Sequence, residues 1–333
     1  MGAELVLVTG ATGFLGHHLV AQLAQAGYAV RVLVRQPANA EFLRGQAEIV
    51  PGDVADTTSL QRAMEGCQYV IHAAALFRFW GDPAAFEHTN VQGTAHVLET
   101  ALRCKVKRFL HLSTVVVVGK TPADSIIDET TPCQPADPYQ RSKYDAENFV
   151  RMYGKATGLP AVILRPGAFY GPHGHYAFNR LFFEDPLKGL LIQVHNGQRY
   201  TFPAFVPDVA RTAVAALKAG RPGEIYNVSG ESLTHHDVNA IVSRLARITA
   251  LRFNVPEKLM LAVAGYLTRR AEHTHHEPYY PTNLAGYVFQ DWKISSTKAQ
   301  SELGFAATPF EDGARQTLEW YWANGFFKRP RNL

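Results

Sequence analysis

The sequence TGATGFLG, residues 9–16, places three glycines three residues apart between an apolar run and a helical pattern. Gly10, Gly13 and Gly16 follow the run ELVLV and precede HHLVAQLAQAG. Glycine has no Cβ, so it permits a tight turn and a close approach of another group to the backbone. A strand–turn–helix unit of this kind constrains the chain towards a parallel α/β sheet, with a crevice at the carboxyl ends of its strands.

Apolar runs alternate with helical patterns up to about residue 230. The predicted strands are 4–9, 28–35, 47–53, 67–75, 106–114, 159–167 and 224–230. The predicted helices are 13–27, 57–66, 84–104, 137–158 and 205–220, followed by helices around 234–248, 256–272 and 309–324. Nearly continuous apolar strands are typical of a parallel sheet that is covered on both faces. We therefore predict an α/β fold, a Rossmann-type doubly wound parallel sheet with a smaller, mostly helical C-terminal substrate lobe.

Composition and charge exclude several functional classes. The 333 residues carry a net charge of only +4, scattered apart from the tail KRPRNL, which does not favour nucleic-acid binding. The run LMLAVAGYL at 259–267 is too short to span a membrane, and the first residues enter a strand, so we expect no signal peptide. Cys67, Cys104 and Cys133 are far apart and odd in number, which predicts neither a disulfide framework nor a zinc site. A reducing compartment, the cytoplasm, is the expected location.

The glycine turn predicts a dinucleotide site. It follows a strand and opens a helix, whose first N–H groups and positive dipole end suit a pyrophosphate. Gly10 would allow the turn, Gly13 the approach of the ligand, and Gly16 the packing of the helix on the sheet. The alternative is a plain strand–helix turn.

The end of the second strand indicates which dinucleotide binds. Arg35 stands there, about 20 residues beyond the glycines, where an acidic residue would hold the ribose hydroxyls of NAD(H). An arginine can pair with a 2′-phosphate instead, so NADP(H) is favoured over NAD(H). Asp53, after the third strand, could accept from the adenine amino group. The alternative for Arg35 is an ordinary surface arginine.

Tyrosine and lysine four residues apart suggest acid/base chemistry. Tyr139 and Lys143, in YQRSK, share one helix face. A free phenol has a pKa of about 10, and a neighbouring ammonium group would lower it. Such a phenol can exchange a proton with a carbonyl or alcohol oxygen, which the hydroxyl of Thr114, beside Ser113 at a strand end, could hold.

Together these motifs resemble the extended short-chain dehydrogenase/reductase family. The resemblance runs through TGATGFLG, GDVAD at 52–56, HAAA at 72–75, NVQGT at 90–94, HLSTVVVVG at 111–119, PYQRSK at 138–143 and LRPGAFYGP at 164–172. It implies that Tyr139 is the acid/base, that Lys143 holds the nicotinamide ribose and tunes Tyr139, and that Thr114 orients the substrate oxygen. Ser113 lies beside Thr114, and Asn90 would support the site. The expected cofactor contacts are Gly10, Thr12, Gly13, Phe14, Leu15, Gly16, Arg35, Asp53, Val54, Ala73, Ala74, Ala75, Leu112, Tyr139, Lys143, Pro166, Gly167, Ala168 and Phe169.

Departures from the family patterns favour one branch. Val115 and Val116 stand where dehydratases of the family have an Asp–Glu pair, and Thr201 stands where epimerases have an arginine for the sugar diphosphate; Arg199 is displaced by two residues. The sequence is most similar to the branch of dihydroflavonol reductases and 3β-hydroxysteroid dehydrogenases. The expected substrate is an apolar or aryl carbonyl or alcohol. Its expected contacts are Phe77, Trp80, Val115, Tyr170, His175 and Tyr176.

The division of the chain follows from the change of pattern after Gly167, where aromatic and histidine residues become frequent. We expect an NADP-binding domain over 1–170 plus about 202–228, and a substrate-binding lobe over 171–201 and 229–333. Family resemblance also implies a homodimer through helices 84–104 and 138–158. The motifs HGH at 173–175 and HTHH at 273–276 lack cysteine or carboxylate partners at ligand spacing, so no metal is expected.

Two alternative functions stay open. A nucleotide-sugar epimerase of the same family would bind the diphosphate in some other way and keep NAD bound. A non-catalytic NADP-sensing regulatory protein would share the fold, although such proteins tend to lose the Tyr–Lys pair that is intact in this sequence.

Overall fold

The structure, a computed structural model, describes residues 2–121 and 125–330. Residues 331–333 of the basic tail lie outside the described residues. The strands, in chain order, are β1 (Leu5–Thr9), β2 (Ala29–Val34), β3 (Glu48–Pro51), β4 (Tyr69–His72), β5 (Arg108–Leu112), β6 (Ala161–Pro166), β7 (Ala168–Tyr170), β8 (Ile192–Gln193), β9 (Tyr200–Thr201), β10 (Pro203–Phe205), β11 (Ile225–Val228), β12 (Leu233–Thr234) and β13 (Phe253–Asn254).

A seven-stranded parallel sheet forms the centre of the molecule, in the order β3-β2-β1-β4-β5-β6-β11. The chain runs outwards from β1 to β3 and then returns to place β4 on the other side of β1. In register, Thr9 of β1 lies opposite His72 of β4, which lies opposite His111 of β5. Ligands of such sheets bind where the strand order reverses, and the glycine turn follows β1 at this point. The predicted doubly wound Rossmann-type sheet is confirmed.

Helices cover both faces of the sheet, and further helices build the C-terminal lobe. They are α1 (Phe14–Gln25), α2 (Thr57–Met64), α3 (Pro83–Phe86), α4 (Gly93–Arg103), α5 (Pro138–Thr157), α6 (Asp185–Leu187), α7 (Val206–Ala219), α8 (His235–Ala246), α9 (Glu257–Thr274), α10 (Ala285–Val288), α11 (Thr297–Leu303) and α12 (Phe310–Ala323). Helices α1, α7 and α11 share a buried cluster with one sheet face, and α2, α4 and α5 share another with the opposite face. Burial on both faces explains the continuous apolar strands.

Helix α5 has clear start and stop signals. The side chain of Asp137 caps its amino end by accepting from the backbone N–H of Gln140 at 2.8 Å, and Pro138 occupies its first position. The helix ends at Gly158, which has a left-handed φ of 76°. These signals fix the first two turns of α5 relative to the sheet, and those turns carry Tyr139 and Lys143.

The helix from 83 to 103 contains a π-helical segment. Residues Glu87–Gln92 have π geometry and join α3 to α4 without a break. Asn90, in this segment, is buried. The sequence predicted one helix here and could not indicate the wider turn.

The C-terminal lobe has a core of its own, rich in phenylalanine and tyrosine, formed with α8 and α12. Three short strand pairs, β7–β10, β9–β12 and β8–β13, were missed from the sequence, as were α6, α10 and α11. No helix within the described ranges combines the length and the apolar character that crossing a bilayer requires.

Candidate active site

The glycine turn places an unblocked helix end at the sheet crevice. Gly10 has φ +77°, and a Cβ there would lie 2.6 Å from the backbone nitrogen of Ala74. Gly13 is the N-cap of α1 and makes no side-chain cap, and the first turn of α1 holds no acidic residue. The first N–H groups of α1 are therefore left to bind an anion such as a pyrophosphate, which fits the expected dinucleotide.

A cleft runs from this turn to the C-terminal lobe and spans about 1350 Å³ including its opening to solvent. Most of the expected cofactor contacts line it: Gly10, Gly13, Phe14, Leu15, Gly16, Ala73, Ala75, Leu112, Tyr139, Lys143, Pro166, Gly167, Ala168 and Phe169. Ser113 and Thr114 also border the cleft. The structure thus brings the glycine turn and the Tyr–Lys pair to one space, although they are more than 120 residues apart in sequence.

Tyr139 and Lys143 lie on the buried side of α5. The ring of Tyr139 packs against Phe77, with ring centroids 4.6 Å apart. The Nζ of Lys143 donates to the carbonyl oxygen of Leu112 at 2.7 Å. Burial lowers the pKa of Lys143 to about 8, against the opposing effect of Glu147.

The pKa of Tyr139 is a correction to the sequence-based expectation. Burial, and to a smaller extent the carboxylate of Asp137, raise it well above its ordinary value, whereas Lys143 was expected to lower it. A phenol of this kind stays protonated at neutral pH. An ordinary phenol is protonated at this pH as well, so the shift leaves the form of Tyr139 at neutral pH unchanged.

The hydroxyls of Ser113 and Thr114 have different surroundings. The Oγ of Ser113 donates to Glu147 at 2.7 Å, and Glu147 forms a buried ion pair of 2.5 Å with Arg165. The Oγ1 of Thr114 accepts from the backbone N–H of Val116 at 3.3 Å, at the start of a short 3₁₀ turn. Because the Ser113 hydroxyl is engaged by a carboxylate, Thr114 is the better placed of the two to hold a ligand oxygen.

Asn90 connects the cleft wall to the Tyr–Lys helix. Its Oδ1 accepts from the N–H of Leu76 at 2.7 Å, and its Nδ2 donates to the carbonyl of Leu76 at 3.0 Å and to the Oγ of Ser142 at 2.9 Å. It does not line the cleft. Asn90 is therefore placed as a positioning residue.

Arg35 and Asp53 lie outside the cleft, after β2 and β3. Arg35 is exposed, and within the described ranges its guanidinium has no hydrogen-bond or ion-pair partner. The Oδ1 of Asp53 accepts from the N–H of Ala55 at 2.9 Å. Three other expected cofactor contacts also lie outside the lining: Thr12, Val54 and Ala74.

Two of the six expected substrate contacts line the cleft, Phe77 and Tyr176. The other four lie elsewhere. Tyr170 is in the lobe core, His175 bonds to Glu184 at 2.7 Å, and neither Val115 nor Trp80 reaches the lining. Packing of the lobe decides these orientations, and Val116 takes the place expected for Val115.

Several lining residues were missed from the sequence. They come from distant parts of the lobe: Ala177, Leu181, Phe182, Phe202, Leu284, Tyr287 and Val288. The aromatic run near residue 178 was the only signal for part of this set. Among the described residues that line the cleft, Lys143 is the one charged side chain.

The histidine motifs form no metal centre in the described part of the chain, where no three His, Cys, Asp or Glu side chains are grouped as ligands. The ring of His173 stacks on His17, with centroids 4.7 Å apart. The HTHH motif lies at the end of α9.

Comparisons with known proteins agree with this geometry. The model of the NAD dependent epimerase/dehydratase family matches residues 6–229. The chain is 29% identical to sterol demethylase protein B of Methylococcus capsulatus, over 96% of this chain and 98% of the relative. It is 30% identical to a probable dTDP-glucose 4,6-dehydratase of Sinorhizobium fredii, over 98% and 95% of the two chains.

A solved structure has the same fold. DesIV, a dTDP-glucose 4,6-dehydratase from Streptomyces venezuelae with NAD and TYD bound, superposes with a TM-score of 0.78 at 26% identity, over 98% of this chain and 99% of that one. The glycine turn, the Tyr–Lys helix and these matches lead to one conclusion: the chain belongs to the NAD dependent epimerase/dehydratase family, the extended short-chain dehydrogenases/reductases.

Proposed function

We propose that this chain is an NAD(P)(H)-dependent oxidoreductase that interconverts a carbonyl and an alcohol on an apolar substrate. One observation carries the proposal: Tyr139, Thr114 and Lys143 meet in a cleft whose other lining side chains are uncharged and largely apolar. Such a cleft suits a substrate that offers one polar oxygen and an apolar body.

Each of these residues of the cleft has a distinct role in the proposed reaction. When bound, a nicotinamide dinucleotide supplies or accepts the hydride. The N–H groups at the start of α1 would bind its pyrophosphate, and Lys143 would bind its nicotinamide ribose. Thr114 donates a hydrogen bond to the substrate oxygen, and Tyr139 gives its proton to that oxygen as the alcohol forms.

Tyr139 is protonated at neutral pH, because the pKa of an ordinary phenol is about 10 and burial raises it further here. The phenol can therefore act as the acid when a carbonyl is reduced. The oxidation of an alcohol would use the same residue as the base, so both directions of the reaction involve Tyr139.

Arg35 supports NADP(H) as the cofactor. Its exposed guanidinium follows β2, pairs with no carboxylate among the described residues, and can bind a 2′-phosphate. The relative DesIV was solved with NAD, so NAD(H) is the alternative form.

The substrate class is supported by what the cleft lacks and by one relative. Val115 and Val116 replace the acidic pair of the dehydratases, and both are buried. The Methylococcus relative is named for sterol demethylation, and a sterol is an apolar alcohol. We propose that this chain belongs with the dihydroflavonol reductase and 3β-hydroxysteroid dehydrogenase branch.

A nucleotide-sugar epimerase is the alternative, and the names of several relatives favour it. The solved structures include UDP-glucose 4-epimerase from Thermotoga maritima with UDP-glucose. Against it, Arg199 forms an ion pair of 3.0 Å with Asp291, and no arginine is among the described residues that line the cleft. The third hypothesis is a regulatory NADP sensor. It is disfavoured because Tyr139 and Lys143, which such proteins tend to lose, are both present in the cleft.

A fluorescence titration with NADPH and NADH tests the proposal. Wild type is expected to bind NADPH more tightly, and Arg35→Asp is expected to lose that preference while Arg44→Asp, a nearby exposed control, keeps it. A ketone screen with NADPH follows. Equal or tighter NADH binding, or turnover of UDP- or dTDP-sugars in place of ketones, would overturn the assignment in favour of the epimerase.

Three further expectations stay proposals. The two-part division of the chain at the expected boundaries is one. A homodimer through α4 and α5 is the second, and sedimentation velocity would test it. The third is a reducing, cytoplasmic location, which accords with the free thiols of Cys67, Cys104 and Cys133.

A further inference from the structure

A second cavity lies in the C-terminal lobe and shares a wall with the catalytic cleft. Leu181, Phe182, Leu284 and Val288 border both spaces. The second cavity, which we call the lobe chamber, spans about 840 Å³ including its opening to solvent. A ligand that extends from one space into the other would have to pass between these four side chains.

Most of the chamber wall is apolar. One side is the parallel pair β8–β13, held by the hydrogen bond from the N–H of Phe253 to the carbonyl of Leu191 at 2.7 Å. Another is the inner side of α9, and a third is the segment from 280 to 289. The apolar lining side chains outside the shared wall include Leu190, Ile192, Val194, Met260, Ala264 and Phe289.

Part of the polar lining of the chamber comes from α8, and Gln193 of β8 adds an amide. His235 and Asn239 lie one turn apart on α8, and both line the chamber. The Nε2 of His235 is buried and has no hydrogen-bond partner among the described residues. Burial lowers the pKa of this imidazole to about 4, so the ring is neutral and has one nitrogen available to a ligand.

Arg252 brings a positive charge to the same wall. Its guanidinium donates to the carbonyl oxygens of Thr249 and Leu251, both at 3.0 Å, and to the Oγ of Ser243 at 2.8 Å. All three acceptors are neutral, and no carboxylate among the described residues pairs with Arg252. A partly buried charge without a counter-charge has a desolvation cost that a bound anion would offset.

The acidic group of the chamber does not fill this role. Asp185 lines the chamber but accepts from the hydroxyls of Tyr279 and Tyr280. The chamber therefore has an apolar body, a neutral imidazole with a free nitrogen, and an unpaired guanidinium.

We propose that the lobe chamber binds the distal part of the substrate, an extended apolar body that ends in a carboxylate at Arg252. The reactive oxygen of the same molecule lies at Tyr139 in the cleft. This inference rests on the proposed function, and it names the substrate class as an amphiphilic carbonyl or alcohol with an acidic end.

Binding of parinaric acid, a fluorescent polyene carboxylate, to the full-length protein tests the chamber without requiring turnover. Wild type is expected to bind it. Ala264→Trp and Met260→Trp, which fill the chamber from α9, are expected to weaken binding by about tenfold or more, or about 1.4 kcal/mol. Val263→Trp is the matched control, because Val263 is on the same helix and is 41% exposed.

The acidic end is tested by displacement of parinaric acid. Dodecanoate is expected to displace it more effectively than dodecanol, and Arg252→Gln is expected to remove the difference while the apolar part of the affinity is kept. Equal displacement by acid and alcohol in wild type would contradict the role of Arg252. Displacement by UDP or dTDP but not by dodecanoate would overturn the proposal and identify the chamber as a nucleotide site.

The same series separates this inference from the proposed function. Parinarate binding that α9 variants weaken, in a protein that reduces no ketone, would support the chamber and contradict the oxidoreductase. Reduction of short and long ketones with the same kcat/KM, unaffected by Ala264→Trp, would support the oxidoreductase and contradict the chamber. Both variants are first checked for a wild-type thermal transition, and Met260→Trp is used if Ala264→Trp does not fold.

Discussion

The side-chain Nζ of Lys143 lies 2.7 Å from the backbone carbonyl oxygen of Leu112, which ties the helix of Tyr139 to the end of β5. Both residues are buried. The contact joins two parts of the chain, a helix and the strand whose end carries Thr114. It places the lysine between the sheet and the cleft, where its charge is exposed to little water.

Replacement of Tyr139 tests the acid. Tyr139→Phe keeps the ring packing on Phe77 but removes the hydroxyl, so we expect kcat for ketone reduction to fall about a hundred- to ten-thousand-fold. The affinity for NADPH, measured by fluorescence, should change little. Tyr153→Phe on the same helix is the control, and equal loss in both variants would contradict the assignment.

The charge of Lys143 predicts how stability depends on pH. Burial lowers its pKa from the ordinary 10.5 to about 8. Between these values the unfolded chain holds more protons than the folded one, so the free energy of unfolding rises with pH through this window. Relative to Lys143→Met, wild type should gain up to about 3 kcal/mol between pH 8 and 10.5. Urea unfolding of both proteins across that range measures it, and a constant difference would contradict the buried charge.

The buried ion pair between Glu147 and Arg165 predicts that a conservative substitution of Glu147 strongly destabilises the protein. Glu147→Gln leaves Arg165 charged and unpaired in the interior, so the free energy of unfolding should fall by about 3–5 kcal/mol. Glu311→Gln, which breaks an exposed pair with Arg244, is the control and should leave unfolding almost unchanged. Urea titrations at neutral pH compare them. Similar losses in both would show that burial of the pair is not what matters.

The close packing at Gly16 predicts sensitivity in the dinucleotide turn. A Cβ there would lie 2.4 Å from the carbonyl carbon of Ala11 and 2.4 Å from the oxygen of Gly10. Gly16→Ala should therefore cost about 1–3 kcal/mol in stability and weaken dinucleotide binding, because the turn must move.

Gly265 provides the contrast for Gly16. The nearest atom to a Cβ at Gly265, within α9, is the Nη1 of Arg269 at 3.9 Å. Gly265→Ala should stabilise the protein by about 0.5–1 kcal/mol through helix propensity. Thermal unfolding of both variants measures whether each substitution lowers or raises stability. A loss of stability in Gly265→Ala equal to that in Gly16→Ala would contradict the steric argument.

The sequence predicted the sheet and the near half of the site well, for a physical reason. Parallel strands buried on both faces read as apolar runs, and the groups at their carboxyl ends must meet at one edge. Gly13, Thr114 and Pro166 follow or end such runs, so their convergence could be predicted from order alone.

The far half of the cleft could not be predicted in this way. Leu284 and Tyr287 reach it from more than 100 residues beyond the last of those strand ends, through packing of the lobe. Phe169 and Tyr170 are neighbours on one short strand, yet Phe169 lines the cleft and Tyr170 belongs to the lobe core. Strand alternation permits this arrangement, but only the fold of the lobe decides which face is which.

The pKa of Tyr139 shows another limit. The spacing of Tyr139 and Lys143 on one helix face predicted that the charge of the lysine would lower the pKa of the tyrosine. Burial and the nearby carboxylate of Asp137 determine the outcome instead, and burial is a property of the assembled fold.

The π-helical segment around Asn90 requires a fixed number of residues in this helix, in addition to suitable residue types. A π-helical turn holds one residue more than an α-helical turn, so deleting one residue of Glu87–Gln92 would close the wide turn and change the direction of the Asn90 side chain. The amide of Asn90 would then lose either Leu76 or Ser142. Insertions and deletions are therefore expected to be rare in this helix and more frequent in the loops. An alignment of homologous sequences should have no gaps across it.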